Sequence, residues 1–184
     1  MERSAIFAGF GSQGLLFAGQ VLARAGIRDG REVFWIPSYG PEMRGGTASC
    51  TVIVGDGEIG SPMVDRCDAA VVMNLPSLVK FGPRVADGGL LIVNASLIDL
   101  DDVAAPPRVE LLPLRCTELA AGAGDDTLVS VVALGALVGR LGWVTPGAVR
   151  TTIREVVGAK RPGVLEADLR AFDAGLVAAS VAVG

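Results

Sequence analysis

Two hydrophobic periods alternate along this chain, short apolar runs bounded by glycine giving way to stretches with apolar positions three and four residues apart. Ser4 to Ala8 is a short apolar run. It passes through Gly9-Phe10-Gly11-Ser12-Gln13-Gly14 into a pattern at Leu15, Ala18, Leu22 and Ala25, which predicts strand, tight turn and helix. Glu32 to Ile36 follows Gly30 as a second β-rich run, so the opening reads as a βαβ unit with a parallel sheet. Pro37 to Gly46 holds too many prolines and glycines for a helix or a central strand. Thr47 to Val54 is β-branched, and Gly55-Asp56-Gly57 with Glu58-Ile59 behind it predicts a hairpin turn. Ala69 to Met73 and Gly89 to Val93 predict two further strands around a helix through Leu75 to Val85, and Val109 to Leu114 a last one.

From Asp126 the chain turns helical. Leu128 to Leu141 is apolar nearly all round, so it must be buried against the sheet or another subunit. Val164 to Val181 places Leu165, Leu169, Phe172 and Leu176 on one stripe, with Glu166, Asp168, Arg170 and Asp173 among the remaining positions. The expectation is an α/β fold: a single three-layer domain over residues 1–184, with a mostly parallel Rossmann-like sheet, a β-hairpin excursion and C-terminal helices.

Composition removes several functions. Of 184 residues, 51% are hydrophobic and 20% charged, enough apolar surface for a packed core. The net charge is -4 and no Lys/Arg run stands out, which argues against nucleic acid as a partner. There is no histidine, so no Ser-His, Cys-His or His-metal arrangement exists. Cys50, Cys67 and Cys116 match no C-x-x-C pattern, which predicts no metal or cluster ligands, no disulfide framework and small thiols in a core. Sparse cysteines and an opening unlike a secretory signal suit the cytoplasm. Leu128 to Gly139 falls short of the roughly 20 residues of a membrane span.

Two constellations could carry chemistry. Gly9, Gly11, Ser12, Gln13 and Gly14 have the G-x-G-x-x-G spacing after a strand and before a helix, where a helix N-terminus presents free N–H groups to an anion. A phosphate-bearing ligand fits, and so does a purely structural turn. The NAD form also needs an acid about 20 residues on, at the end of the second strand, and that strand ends in Trp35-Ile36-Pro37-Ser38. The second constellation is Ser38-Tyr39-Gly40-Pro41-Glu42-Met43-Arg44-Gly45-Gly46. Arg44 beside Gly45 and Gly46 suits bidentate contact with a carboxylate or phosphate, against the plainer reading of an Arg44–Glu42 pair on a solvated loop. Gly55-Asp56-Gly57 lacks the companion asparagine of a thiamine-diphosphate motif. Ser77-Leu78-Val79-Lys80 lacks the companions of an S-x-x-K site.

Together these motifs resemble the gamma subunit, or gamma domain, of the 2-oxoacid:ferredoxin oxidoreductases. Gly9-Phe10-Gly11-Ser12-Gln13-Gly14 is similar to that family's G-x-G-G-Q-G opening, and Ser38 to Gly46 matches its Y-G-x-E-x-R-G-G loop. Thr47 to Val54, Ser61-Pro62, Asp68 and Leu134-Gly135-Ala136 extend the similarity. The full S-Y-G-P-E-M-R-G-G form looks more like the 2-oxoglutarate type than the pyruvate type. Two departures stand out: Ser12 replaces a glycine and adds a hydroxyl that could cap a helix, and no asparagine stands near Thr127.

The resemblance implies oxidative decarboxylation of a 2-oxoacid to an acyl-coenzyme A, with electrons passing to ferredoxin. It implies thiamine diphosphate, magnesium and iron–sulfur clusters on partner alpha, beta and ferredoxin-like delta subunits, and coenzyme A contacted by this chain. Ser38, Tyr39, Glu42, Arg44, Gly45 and Gly46 would join the glycine turn as binding residues, none of them catalytic. The alternatives are an independent Rossmann-type nucleotide-binding oxidoreductase and a non-enzymatic ligand-binding α/β module.

Overall fold

Strand after strand on this chain is buried on both sides, as the short apolar runs require, and the helices cover the two faces very unequally. The structure, a computed structural model, describes residues 1–38, 47–103, 105–158 and 161–181. In chain order the elements are β1 (Glu2–Phe10), α1 (Leu15–Arg28), β2 (Glu32–Ser38), β3 (Thr47–Gly55), β4 (Cys67–Val72), α2 (Leu75–Phe81), β5 (Val85–Asn94), β6 (Glu110–Leu114), α3 (Cys116–Ala123), α4 (Val129–Leu141), α5 (Pro146–Gly158) and α6 (Leu165–Val181). The strands form one α/β sheet in the order β2-β3-β1-β4-β5-β6. β1, β4, β5 and β6 are parallel neighbours. β3 runs against both β1 and β2, so it alone points the other way.

The opening βαβ unit is therefore present in direction but not in adjacency. α1 carries the chain from β1 to a strand of the same sense, and β3 returns between them. Burial explains the choice of place. β3 is buried along most of its length, Cys50, Val52 and Val54 joining the larger core, whereas β2 alternates exposed and half-buried residues as an edge strand does. Pro37, which cannot donate to a ladder, is tolerated at that edge. The strand expected at Thr47 to Val54 is β3 and it is antiparallel, but to β1 and β2 rather than to a strand beyond the Gly55-Asp56-Gly57 turn.

Among the described residues no strand beyond Gly57 returns to pair with β3. Both edges of β3 are already taken by β1 and β2, so a returning strand has nowhere to pair. Asp56 is drawn instead to the start of β1: its N–H donates to the Met1 carbonyl at 3.1 Å, and its carboxylate takes the Met1 ammonium at 3.6 Å and the Arg31 guanidinium. The Gly60 N–H donates to Glu2 Oε1 at 2.8 Å.

One face of the sheet, carrying Ala5 and Phe7 of β1, supports the larger core with α1, α3, α4, α5 and α6. The other face, with Ile6 and Ala8, is covered by α2 and neighbouring loops. Every residue of α4 from Val129 to Val138 is buried. Its cover comes from this chain's own elements, α6 above all, so the all-round apolar character needs no second subunit. α3 was not anticipated, because its buried side is made of Cys116, Ala120 and Ala123, residues too small to draw a visible stripe.

Candidate functional site

β1 ends in the glycine turn. A Cβ on Gly9 would stand 2.8 Å from that of Met73, so only glycine lets the strand end pass there. Gln13 folds back and its Oε1 accepts the Phe10 N–H at 2.8 Å, closing a 3-10 turn over Gly11–Gln13. That leaves the Gln13 carboxamide oxygen occupied within the turn. The Cβ position of Gly11 opens onto empty space, so its backbone can be approached from outside. Gly14, with φ of 72°, is the N-cap of α1, and no side chain caps that helix. Ser12 therefore does not act as the helix cap; it faces a cavity.

The cavity, of about 270 Å³, lies between the glycine turn and the helical layer. Ser12, Thr127, Ser130, Arg161 and Asp168 supply its polar lining; Phe17, Leu128, Val131 and Val157 its apolar walls. The N-terminus of α4 borders it as well and also lacks a side-chain cap. Two helix starts without a side-chain cap thus border one space.

Asp168 lines the cavity and Asp125 stands outside it, bonded to the lining residue Thr127, and the two carboxylates differ sharply. Asp125 Oδ1 accepts from the Thr127 hydroxyl at 2.6 Å and from the Thr127 N–H at 2.9 Å. These bonds hold its carboxyl below the ordinary aspartate range, with Arg161 adding to the effect. Asp168 is only 3% exposed. Burial pushes its carboxyl up, Arg161 pulling the other way and Asp125 reinforcing the rise. A raised aspartate contributes stability that is complete below its unfolded value and lost as pH climbs through its folded one. We therefore expect Asp168→Asn to unfold at higher urea than the parent at pH 7, with the gap closing toward pH 4. A gap independent of pH would contradict the assigned burial.

Asp168 and Arg161 escaped the sequence reading. Asp168 was placed among the polar positions of α6, yet it stands three residues after Leu165 and four before Phe172, on the buried stripe. That spacing was the available signal. Arg161 follows α5 with no motif around it.

Of the expected binding residues, Gly9, Gly11, Ser12, Gln13 and Gly14 form the turn as described. Ser38 ends β2 at the same sheet edge, opposite Ser49, which in turn faces Ala8 of β1. It is about 10 Å from Ala8, two strand spacings away. Tyr39, Glu42, Arg44, Gly45 and Gly46 lie outside the described residues. The inserted β3 also bears on the nicotinamide alternative: the strand end that should carry the ribose acid is Ser38, and it is not the neighbour of β1.

All three cysteines are buried and free, on β3, β4 and α3. Burial pushes the Cys50 and Cys116 thiols up to about 12 and the Cys67 thiol up to about 11. Since the thiolate is the reactive form, we expect less than one equivalent to react promptly with a disulfide reagent at pH 8 in the native chain and three after denaturation. Fast native labelling would show that a core element opens.

A six-stranded sheet with a glycine turn between its central strand and a helix defines a Rossmann-like α/β domain. The chain belongs to the pyruvate ferredoxin/flavodoxin oxidoreductase family, whose model matches residues 4–178. The ketoisovalerate oxidoreductase subunit VorA of Methanothermobacter thermautotrophicus is 36% identical over 171 residues, which cover 91% of this chain and 34% of that protein. This chain thus spans about a third of that relative's length. The 2-oxoglutarate synthase subunit KorC of the same organism is 34% identical over 173 residues, covering 91% and 90% of the two chains. Among solved structures, the gamma subunit of a keto/oxoacid ferredoxin oxidoreductase from Geobacter sulfurreducens superposes with a TM-score of 0.83 at 29% identity. That match covers 97% of this chain and 99% of the other.

Proposed function

We propose that residues 1–184 act as the gamma subunit of a cytoplasmic 2-oxoacid:ferredoxin oxidoreductase, with 2-oxoglutarate as the oxoacid, and that the chain contributes coenzyme A binding and subunit assembly. The observation that carries this reading is the near end-to-end match to a 2-oxoglutarate synthase subunit of similar length. The same unit recurs as a third of a longer polypeptide, which suits a domain that works against other subunits. The alpha, beta and, where present, delta partners would bring thiamine diphosphate, magnesium and iron–sulfur clusters, which supply decarboxylation and electron transfer to ferredoxin. The chain's own part is to hold an anionic ligand. The open Gly11 backbone and the uncapped start of α1 support a phosphate contact at Ser12 to Gly14. Arg44, whose guanidinium fork suits a phosphate or carboxylate, would take a second anionic group.

Two outcomes test this. The purified chain alone should be colourless and reduce no dye with 2-oxoglutarate, and activity should appear only on addition of the thiamine-binding partners. Turnover by the lone chain would sink the subunit reading. In the assembled enzyme, Arg44→Lys keeps the charge but loses the planar fork. It should weaken coenzyme A use by about 1 to 3 kcal/mol while sparing the oxoacid-dependent step before acyl transfer. Unchanged coenzyme A affinity would remove Arg44 from the site.

A further inference from the structure

We draw no further inference here: the strongest candidate, the surface patch of exposed apolar side chains Phe10, Leu75, Val79, Leu97 and Leu100 along the sheet edge where β1, β4 and β5 end, is an unpartnered face, and nothing in the structure shows what covers it.

Discussion

Gly175→Ala is expected to cost about 3 kcal/mol or more, the largest loss of stability from a single added methyl among the described glycines. α4 and α6 cross with Gly135 and Gly175 against each other, a Cβ on Gly135 standing 3.1 Å from the Gly175 Cα. A Cβ on Gly175 would overlap the Val132 carbonyl oxygen and come within 2.9 Å of the Ala136 nitrogen. These obstacles are backbone atoms, which no rotamer change can move. The helices would have to separate, and Leu134, Leu137 and Phe172, all buried in the same core, would lose contact. At about 2 to 4 °C per kcal/mol for a chain of this size, the melting temperature should fall by roughly 6 to 12 °C. Gly122→Ala is the control. It adds the same methyl to an exposed helical position with open space around it, and should stabilise by about 0.5 to 1 kcal/mol. Equal behaviour of the two variants would mean that the crossing is looser than described.

How much of this was legible in the sequence depended on whether the signal was local. The strand–turn–helix opening was readable because Ser4 to Ala8, the glycines and the Leu15 to Ala25 pattern are contiguous, and β4, β5 and β6 announced themselves as short apolar runs. Sheet order was not readable. Nothing within Glu32 to Ile36 says that its neighbour is β3 rather than β1; that follows from which strand can afford an exposed edge, a comparison across 50 residues of chain. Asp56 misled for a similar reason, since a Gly-Asp-Gly turn serves a hairpin only if β3 has a free side. At the site, the glycine turn was visible and its partner surface was not. Asp168 could have been found by placing it on the stripe with Leu165 and Phe172, whereas Arg161 meets the turn only through the packing of α5 and α6 on α4.

The second large effect is expected at Gly14, where stability and ligand binding should part company. Its φ of 72° disfavours any side chain by about 1 to 2 kcal/mol, with Asn and Asp tolerating it best, and a Cβ there would lie 2.9 Å from Ser130 Oγ. Aspartate in place of glycine at this N-cap would return only a few tenths of a kcal/mol, about 0.3, by bonding the first N–H groups of α1. Gly14→Asp and Gly14→Asn should therefore both fold, with similar and modest losses. Their ligand behaviour should differ, because Asp puts a fixed negative charge in the place proposed for a phosphate, and Asn puts a neutral amide of the same shape there. In the assembled enzyme we expect the Asp variant to use coenzyme A about 5- to 150-fold less well than the Asn variant, the span of a charge-assisted contact worth 1 to 3 kcal/mol. The oxoacid-dependent half-reaction should run at the same rate in both. Equal coenzyme A affinities in the two variants would show that no anion sits on the start of α1, and the turn would then serve only to pack the helix on the sheet.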